Sequence, residues 1–342
     1  MSAALGYAVR APQWVLTYQG VNITADISSM VTGITYEDRL EGAASEIEVT
    51  LEDHQKLWQG PWSPQLGDRL TLLLGYERDV LLPCGDFEVD EVELSGPPDS
   101  VYMRCLEAWI TPATRTRNSL GYEDQTLPEI AATIASKYSL SVIGADNSLN
   151  VAFERITQRQ ETDLEFLRRL AKAQGYEFTV RGTQMVFYAI STLESSTPAM
   201  VLGRSDLLTF GFTNKTHEIF KDAQVSYQQP YTKELITQSV TSAMQAPTGD
   251  TVKMVARCET IEQALLKAQS VLHDMNAKQR TARLKAPGST TLVAGNVITL
   301  TGFGVNDGNY LIELARHRLT RSSGYTTEVS ARQLRSSVAS TG

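Results

Sequence analysis

Gly67-Asp68-Arg69-Leu70-Thr71-Leu72-Leu73-Leu74-Gly75-Tyr76 spells a turn followed by a strand. After the turn pair Gly67-Asp68, Leu70, Leu72, Leu74 and Tyr76 take every second position, the period of a strand with one buried and one wet face. The same phrase recurs far downstream as Gly295-Asn296-Val297-Ile298-Thr299-Leu300, matching in glycine, turn residue, aliphatic, threonine and aliphatic. The echo continues. Gly85-Asp86-Phe87-Glu88-Val89-Asp90 aligns with Gly308-Asn309-Tyr310-Leu311-Ile312-Glu313 as glycine, turn residue, aromatic, any residue, β-branched residue and acid. Each copy holds a turn, a strand, a loop and a second strand, in the same order and at nearly the same spacing. Self-similarity of this kind implies two related units. Such turns ahead of aliphatic strands are common in β proteins, so coincidence is the competing explanation.

Working outward, Ile47, Val49 and Leu51 alternate with Glu46, Glu48, Thr50 and Glu52 in another half-buried strand. Phe87 and Val89 are followed by a change of parity to Val92 and Leu94, which a bulge explains because it inserts one extra residue into the ladder. The turn Ser95-Gly96-Pro97-Pro98-Asp99 then leads to Val101, Met103 and Cys105 on one face. These short strands predict a small antiparallel β-barrel over residues 1–115.

The texture changes near Arg117. Thr126-Leu127-Pro128-Glu129 is a capping box, with Leu127, Ile130, Ile134 and Tyr138 following at helical spacing. A second box, Thr162-Asp163-Leu164-Glu165, opens a helix with the stripe Leu164, Leu167, Leu170 and Ala171, ended by Gly175. Tyr176, Phe178 and Val180 run into the turn Arg181-Gly182-Thr183, and Met185 to Tyr188 return as a hairpin arm. Residues 116–200 therefore read as an α+β module closed by a polar linker, Ser191 to Pro198.

Strand-like segments resume at Leu207 to Phe212 and Ala223 to Tyr227, while Gln228 to Asp250 carries no clear pattern. A third box, Thr260-Ile261-Glu262-Gln263, starts a helix over about 260–276, with Ile261, Ala264, Leu265, Ala268, Val271, Leu272 and Met275 expected on its buried side. Strands punctuated by Gly295-Asn296, Asp307-Gly308 and Gly324 complete a second barrel domain over 201–342. The expected class is mixed α+β, mainly β, with two small antiparallel barrels and an α/β module between them.

Composition bounds the function. With 342 residues, 42% hydrophobic and 20% charged, the chain can bury two or three compact cores. Its 31 basic and 39 acidic residues give a net charge of -8, which repels phosphate and argues against specific nucleic-acid binding. A wall past which DNA slides without sticking would carry the same sign. No run of about 18 apolar residues occurs and the first twelve residues lack a signal-peptide pattern, so no membrane span and cytoplasmic synthesis are expected. Cys84, Cys105 and Cys258 are odd in number and read as buried free thiols.

Raw material for chemistry is sparse. His54, His217, His273 and His317 are scattered, and His217-Glu218 is followed by no second histidine at zinc-protease spacing. Asp86, Glu88, Asp90, Glu91 and Glu93 would offer paired carboxylates for glycoside hydrolysis, yet strand periodicity puts Asp86, Glu88 and Asp90 on a wet face. Gly302-Phe303-Gly304 lacks the last glycine of a dinucleotide motif and leads to a strand, so it reads as a loop. Lys278, Arg280, Arg283 and Lys285, like Arg168 and Arg169, could meet DNA phosphates or an acidic neighbour. No aromatic interleaving accompanies them, which favours solvated faces or subunit salt bridges. Trp14, Trp58, Trp62 and Trp109 could serve a carbohydrate-binding surface, but Trp58 and Trp62 flank Gly60-Pro61 and suit the plug of a barrel end.

Four pieces, taken in order, resemble the phage late control gene D family and the N-terminal hub portion of VgrG spike proteins, over about Trp14 to Arg332. They are Gly67-Asp68 with its strand; Gly85-Asp86-Phe87-Glu88-Val89-Asp90 with Ser95-Gly96-Pro97-Pro98; Glu161-Thr162-Asp163-Leu164-Glu165-Phe166-Leu167-Arg168-Arg169-Leu170-Ala171 with Gly175; and Gly308-Asn309-Tyr310 with His317 and Gly324-Tyr325-Thr326-Thr327. The third is the most specific. The resemblance implies a structural, non-enzymatic baseplate hub: a homotrimer adapting a six-fold tail tube protein to a three-fold spike, alongside other baseplate proteins and a tape measure protein. It implies no cofactor, metal or catalytic residue, and a place in the virion tail after assembly in the host bacterial cytoplasm. Gly67, Asp68, Gly85, Phe87, Asp163, Phe166, Leu167, Arg169, Leu170, Gly175, Gly308 and Tyr310 carry the motif as structural positions. Because no repetitive β-prism follows the last strands, the spike is expected to be a separate polypeptide. The alternatives are a baseplate-associated cell-wall glycoside hydrolase or a carbohydrate-binding module.

Overall fold

Strands with one apolar face leave backbone edges that must be paired, and this chain pairs most of them in one sheet. A computed structural model describes residues 10–40, 44–107, 116–144, 152–181, 183–215, 219–228, 235–242, 249–256, 258 and 260–334. Thirteen strands share the main sheet. One half runs Val31–Arg39, Glu46–Glu52, Ser100–Glu107, Leu82–Ser95, Arg69–Tyr76 and Pro12–Tyr18, with the short Val21–Asn22 at its end. The other runs Thr209–Asn214, Arg280–Pro287, Gly324–Gln333, Gly308–Thr320, Val297–Leu300 and Met200–Leu202. The halves meet where Val31–Arg39 pairs antiparallel with the last part of Gly308–Thr320. Among the described residues the hydrogen-bonded order is an open path, so the chain is mixed α+β and mainly β without a closed ring of strands.

The alternation seen in the sequence becomes burial. Ile47, Val49, Leu51, Leu70, Leu72, Leu74, Phe87, Val101, Met103 and Cys105 form the first core with Leu16, Ile34 and Trp58. Each fully buried aliphatic or aromatic side chain contributes about 1.5–3 kcal/mol. Trp58 plugs this core and meets Trp62 edge to face at 5.8 Å. The second half has its own core around Leu284, Ile298, Leu300, Tyr310, Ile312 and Val329.

The repeat is present down to hydrogen-bond register. Leu70 lies opposite Phe87, Thr71 opposite Asp86 and Leu72 opposite Gly85; in the second half Ile298 lies opposite Tyr310, Thr299 opposite Asn309 and Leu300 opposite Gly308. Gly67 N donates to Val89 O and Gly295 N to Ile312 O, both at 2.9 Å. Both ladders then shift register at the same place, between Val89 and Glu91 and between Ile312 and Leu314. A bulge thus explains the change of parity after Val89, although Leu94 beyond it is 53% exposed instead of buried. Coincidence does not reproduce two turns, four strands and a bulge in one register.

In the middle of the chain Thr126 and Thr162 both close reciprocal capping boxes, on the helices Leu127–Lys137 and Asp163–Ala173. These helices pack on the sheet Ser141–Ile143, Gln184–Ala189 and Tyr176–Arg181, burying Ile130, Ile134, Leu167, Leu170, Phe178 and Phe187. The polar stretch expected as a linker is partly helical, Ile190–Glu194, because Glu194 is held by Arg332 at 2.5 Å and His273 at 3.2 Å.

The chain between the paired strands Thr209–Asn214 and Arg280–Pro287 builds a separate sheet, Leu235–Thr241, Asp222–Gln228 and Thr251–Val255, covered by the helix Ile261–Ala277. Two expectations change here. Thr260 accepts from Gln263 N, but the Gln263 amide reaches Ala152 O at 3.3 Å instead of returning to the cap. The buried line is Ala264, Ala268, Leu272 and Asn276, while Ile261, Leu265 and Met275 are exposed. A single small sheet covers only a narrow helical face, and the alanines are what it touches.

Gly85 and Gly308 take φ of +115° and +135°, where the strand returns from its loop. Side-chain-bearing residues rarely adopt that backbone, so Gly85→Ala and Gly308→Ala are each expected to cost about 1–3 kcal/mol. Thermal unfolding of the two variants checks this, and similar losses at both sites are expected because the conformation is repeated.

Candidate functional site

The seam between the halves is the most polar buried region of the main sheet. Strand alternation there puts Glu37 and Asp38 on neighbouring positions of a strand that is covered on both faces, and both carboxylates are nearly fully buried. Glu37 is met by the Arg316 guanidinium directly opposite, with Nε at 2.7 Å, and by Arg39 beside it. Asp38 accepts from Ala294 N at 2.9 Å, tying the seam to the turn of the second copy. Charges withdrawn from water persist only when paired in this way.

His317 lies at the centre, fully buried and opposite Tyr36, with the rings stacked at 5.7 Å. Its Nδ1 meets Tyr325 Oη at 2.8 Å and Thr327 Oγ1 at 3.3 Å. Burial pushes its pKa down to about 4 against the opposing pull of Asp38, so the ring is neutral. Phe87 also meets Tyr36, edge to face at 6.1 Å.

The second organised cluster is the Glu161–Ala171 motif. Thr162 and Glu165 form the cap, with Thr162 N donating to Glu165 Oε2 at 2.9 Å. Asp163, first in the helix and 1% exposed, receives Asn118 Nδ2 at 3.0 Å and Gln158 Nε2 at 2.9 Å on one oxygen, and Lys137 Nζ at 3.1 Å and Tyr138 Oη at 3.0 Å on the other. Burial alone would raise its pKa; the four donors outweigh it and hold the carboxyl below its ordinary value. Phe166 stacks on Tyr122 at 5.4 Å, while Leu167 and Leu170 fill the core. Arg169 turns outward, forks onto both oxygens of Glu161 at 2.9 Å and reaches Thr157 O at 3.2 Å. Gly175 ends the turn with φ +77°. One motif therefore ties two helices, two short strand pairs and a hairpin together.

The remaining motif positions do not join these clusters. Asp68 accepts from Tyr18 Oη and from Gln19 Nε2 at 2.6 Å and Gln65 N at 2.9 Å, so it fastens the Gly67 turn to the first strand. Tyr310 fills the second core and donates to Asn306 O at 2.8 Å. Gly67, Gly85 and Gly308 shape the matched turns. Each residue of the motif thus serves a core, a cap or a turn.

Nothing in the sequence marks Glu37, Asp38, Arg316, Glu194, Arg332 and Asn118, because their pairings cross long stretches of chain, and Gln158, five residues before its partner Asp163, matches no capping or turn spacing. Glu88 faces Arg69 at 3.6 Å and Glu46 pairs with Arg104 at 2.7 Å. A groove of about 360 Å³ between the helices Asp163–Ala173 and Ile261–Ala277 is floored by Ile156, Leu170 and Val271; among its described lining residues the one carboxylate is Asp274, which pairs with Lys172 at 3.3 Å. Among the described residues no three His, Cys, Asp or Glu side chains cluster as metal ligands, and no helix is long and apolar enough to cross a membrane. Cys84, Cys105 and Cys258 are buried and not joined in a disulfide. His217, Glu218 and Trp109 lie outside the described residues.

This chain uses its motif residues to lock cores, caps and turns. It belongs to the phage tail baseplate hub (GPD) family, whose model matches residues 88–323. It is 31% identical over 200 residues to the "Probable baseplate hub protein" of Escherichia phage 186, covering 57% of this chain and 51% of that protein. The chain thus spans about half the length of the curated relatives it matches. Its fold is shared with the 43 kDa tail protein of prophage MuSo2 from Shewanella oneidensis, with a TM-score of 0.73, 18% identity, and coverage of 94% of this chain and 98% of that one. It is also shared with a chain of the Francisella PdpA-VgrG complex, with a TM-score of 0.60, 8% identity, and coverage of 96% and 59%.

Two outcomes are expected at these clusters. Asp163→Ala strands four donors in a buried place and should cost about 3–5 kcal/mol, read as early loss of hydrogen-exchange protection in the module before the rest of the chain. His317 has a folded pKa of about 4 against 6.5 for the free side chain, so the unfolded chain binds the extra proton first. Wild-type stability should therefore fall by up to about 3 kcal/mol relative to His317→Gln as pH drops from 6.5 to 4, and the gap should stay level below that. Denaturant titrations of both proteins across this range give the difference.

Proposed function

We propose that three copies of this chain form the hub ring of a phage tail or related contractile injection machine, adapting a six-fold tail tube to a three-fold central spike. The observation that carries the reading is the doubled unit: two multi-strand units with matched turns, registers and bulge lie side by side in one sheet. Three such chains present six similar units, the number a six-fold tube requires.

In this reading the two halves are barrel-like wall segments, within residues 1–115 and 201–342, and residues 116–200 supply the α+β module between them. Tube protein, spike, other baseplate proteins and tape measure protein are the partners, and the virion tail is the place, following assembly in the host bacterial cytoplasm. A net charge of -8 suits a wall that DNA passes without adhering. The subunit acts by assembly and not by catalysis, in keeping with carboxylates that are paired across strands or held in caps.

Light scattering during size exclusion is expected to give a mass near three times the chain's 37.7 kDa. A concentration-independent monomer that cleaves cell-wall polymer, with turnover abolished by a single carboxylate change, overturns the hub reading.

A further inference from the structure

The repeat differs at its rims: Pro12–Tyr18 pairs antiparallel with Arg69–Tyr76 where Met200–Leu202 pairs parallel with Val297–Leu300, and the two copies also differ in which strand edges are filled. In the second copy, the strand Gly308–Thr320 uses its first residues to pair with Val297–Leu300 and its last, Leu314–Thr320, to receive Val31–Arg39 from the first copy. The equivalent strand of the first copy, Leu82–Ser95, pairs with Arg69–Tyr76 through Glu88, but beyond its bulge the same edge receives no strand among the described residues. Conversely, Thr209–Asn214 occupies in the second copy the place Val31–Arg39 holds in the first, and among the described residues it is a terminal strand paired on one side only. One donor strand and one acceptor edge are each left over.

We infer that these two edges join between subunits: Thr209–Asn214, continued by Lys215, of one copy adds antiparallel to Glu91–Ser95 of the next, repeating the seam already made within the chain. This rests on the hub reading and names its subunit contact. The register follows by transferring the internal seam. Leu314 opposite Arg39 becomes Glu91 opposite Lys215, and His317 opposite Tyr36 becomes Leu94 opposite Phe212. The first pair is of opposite charge and the second is apolar, and neither property entered the alignment. Directly opposed residues of these kinds stabilise paired strands.

Exposure points the same way. Leu94 is 53% and Phe210 40% exposed, on edges that natural sheets otherwise blunt with charge, proline or cover. A head-to-tail contact closes only as a ring or runs on as a filament. With a second copy as the occupant, every seam of a three-chain ring has the same antiparallel strand geometry, alternating between internal and intermolecular.

Leu94→Cys and Phe212→Cys in one chain, treated with a short bismaleimide, should give covalent species up to three chains, whereas either variant alone should not cross-link. Mixing the two single variants should give linked pairs of one of each. Leu94→Lys should shift the scattering mass from three copies toward one at equal concentration, and the amides of Glu91–Ser95 should be protected from exchange in the assembly. A trimer that does not cross-link, tolerates Leu94→Lys and leaves those amides exchanging freely overturns the edge contact while the hub reading stands. Protein that stays monomeric at every concentration overturns both.

Discussion

Everything in the large sheet depends on one strand pairing, Val31–Arg39 against Leu314–Thr320, made between residues as far apart as Glu37 and Arg316, 279 positions along the chain. Without it the two halves would be separate sheets with exposed edges. With it, the halves share a buried ion pair, a stacked His317 and Tyr36, and the Asp38 anchor on the second copy's turn. Buried charge is costly, and its chief return here is orientation: opposite charges directly across a strand pair accept one register, and a slip by one residue would turn Glu37 and Arg316 to opposite faces.

The middle module uses the same device at smaller scale. Asp163 sits at a helix N-terminus, where partial positive charge already favours a carboxylate, and it draws four donors from three directions. Arg169 closes the outside of the same helix on Glu161. A short sequence motif can mark a whole module because both residues act across the chain while the apolar positions between them fill one core. Glu194 then ties this module to the last strand through Arg332 and to the long helix through His273.

Much of this was legible in the sequence wherever the signal was local. Alternating Ile47, Val49 and Leu51, the two reciprocal capping boxes, and the change of parity after Val89 all name their structure directly, and the repeat was visible from glycines and strand residues alone. What could not be read was pairing at a distance. The seam needs Glu37 to find Arg316, and nothing near either residue says so. The long helix misled because its stripe of Ile261, Leu265 and Met275 looks like core, whereas the depth of its burial was decided by the width of the sheet beneath it. The Gly85 and Gly308 turns are visible as pattern, but their role as matched hinges of two superposable ladders appears only with the register.

The distance spanned by the seam also shapes how the chain comes off the ribosome. Val31–Arg39 can pair with Glu46–Glu52 early, yet its other edge waits for residues beyond 313. At roughly 5–20 residues per second that wait is on the order of tens of seconds. A bare edge is a template for mispairing during that interval, most of all with a nearby nascent copy carrying the same strands. Glu37 and Asp38, adjacent on this edge, resist uninvited apolar strands while hydrated and become acceptable neighbours only once Arg316 and Ala294 arrive. The same carboxylates that set the register in the finished sheet therefore act as gatekeepers during synthesis.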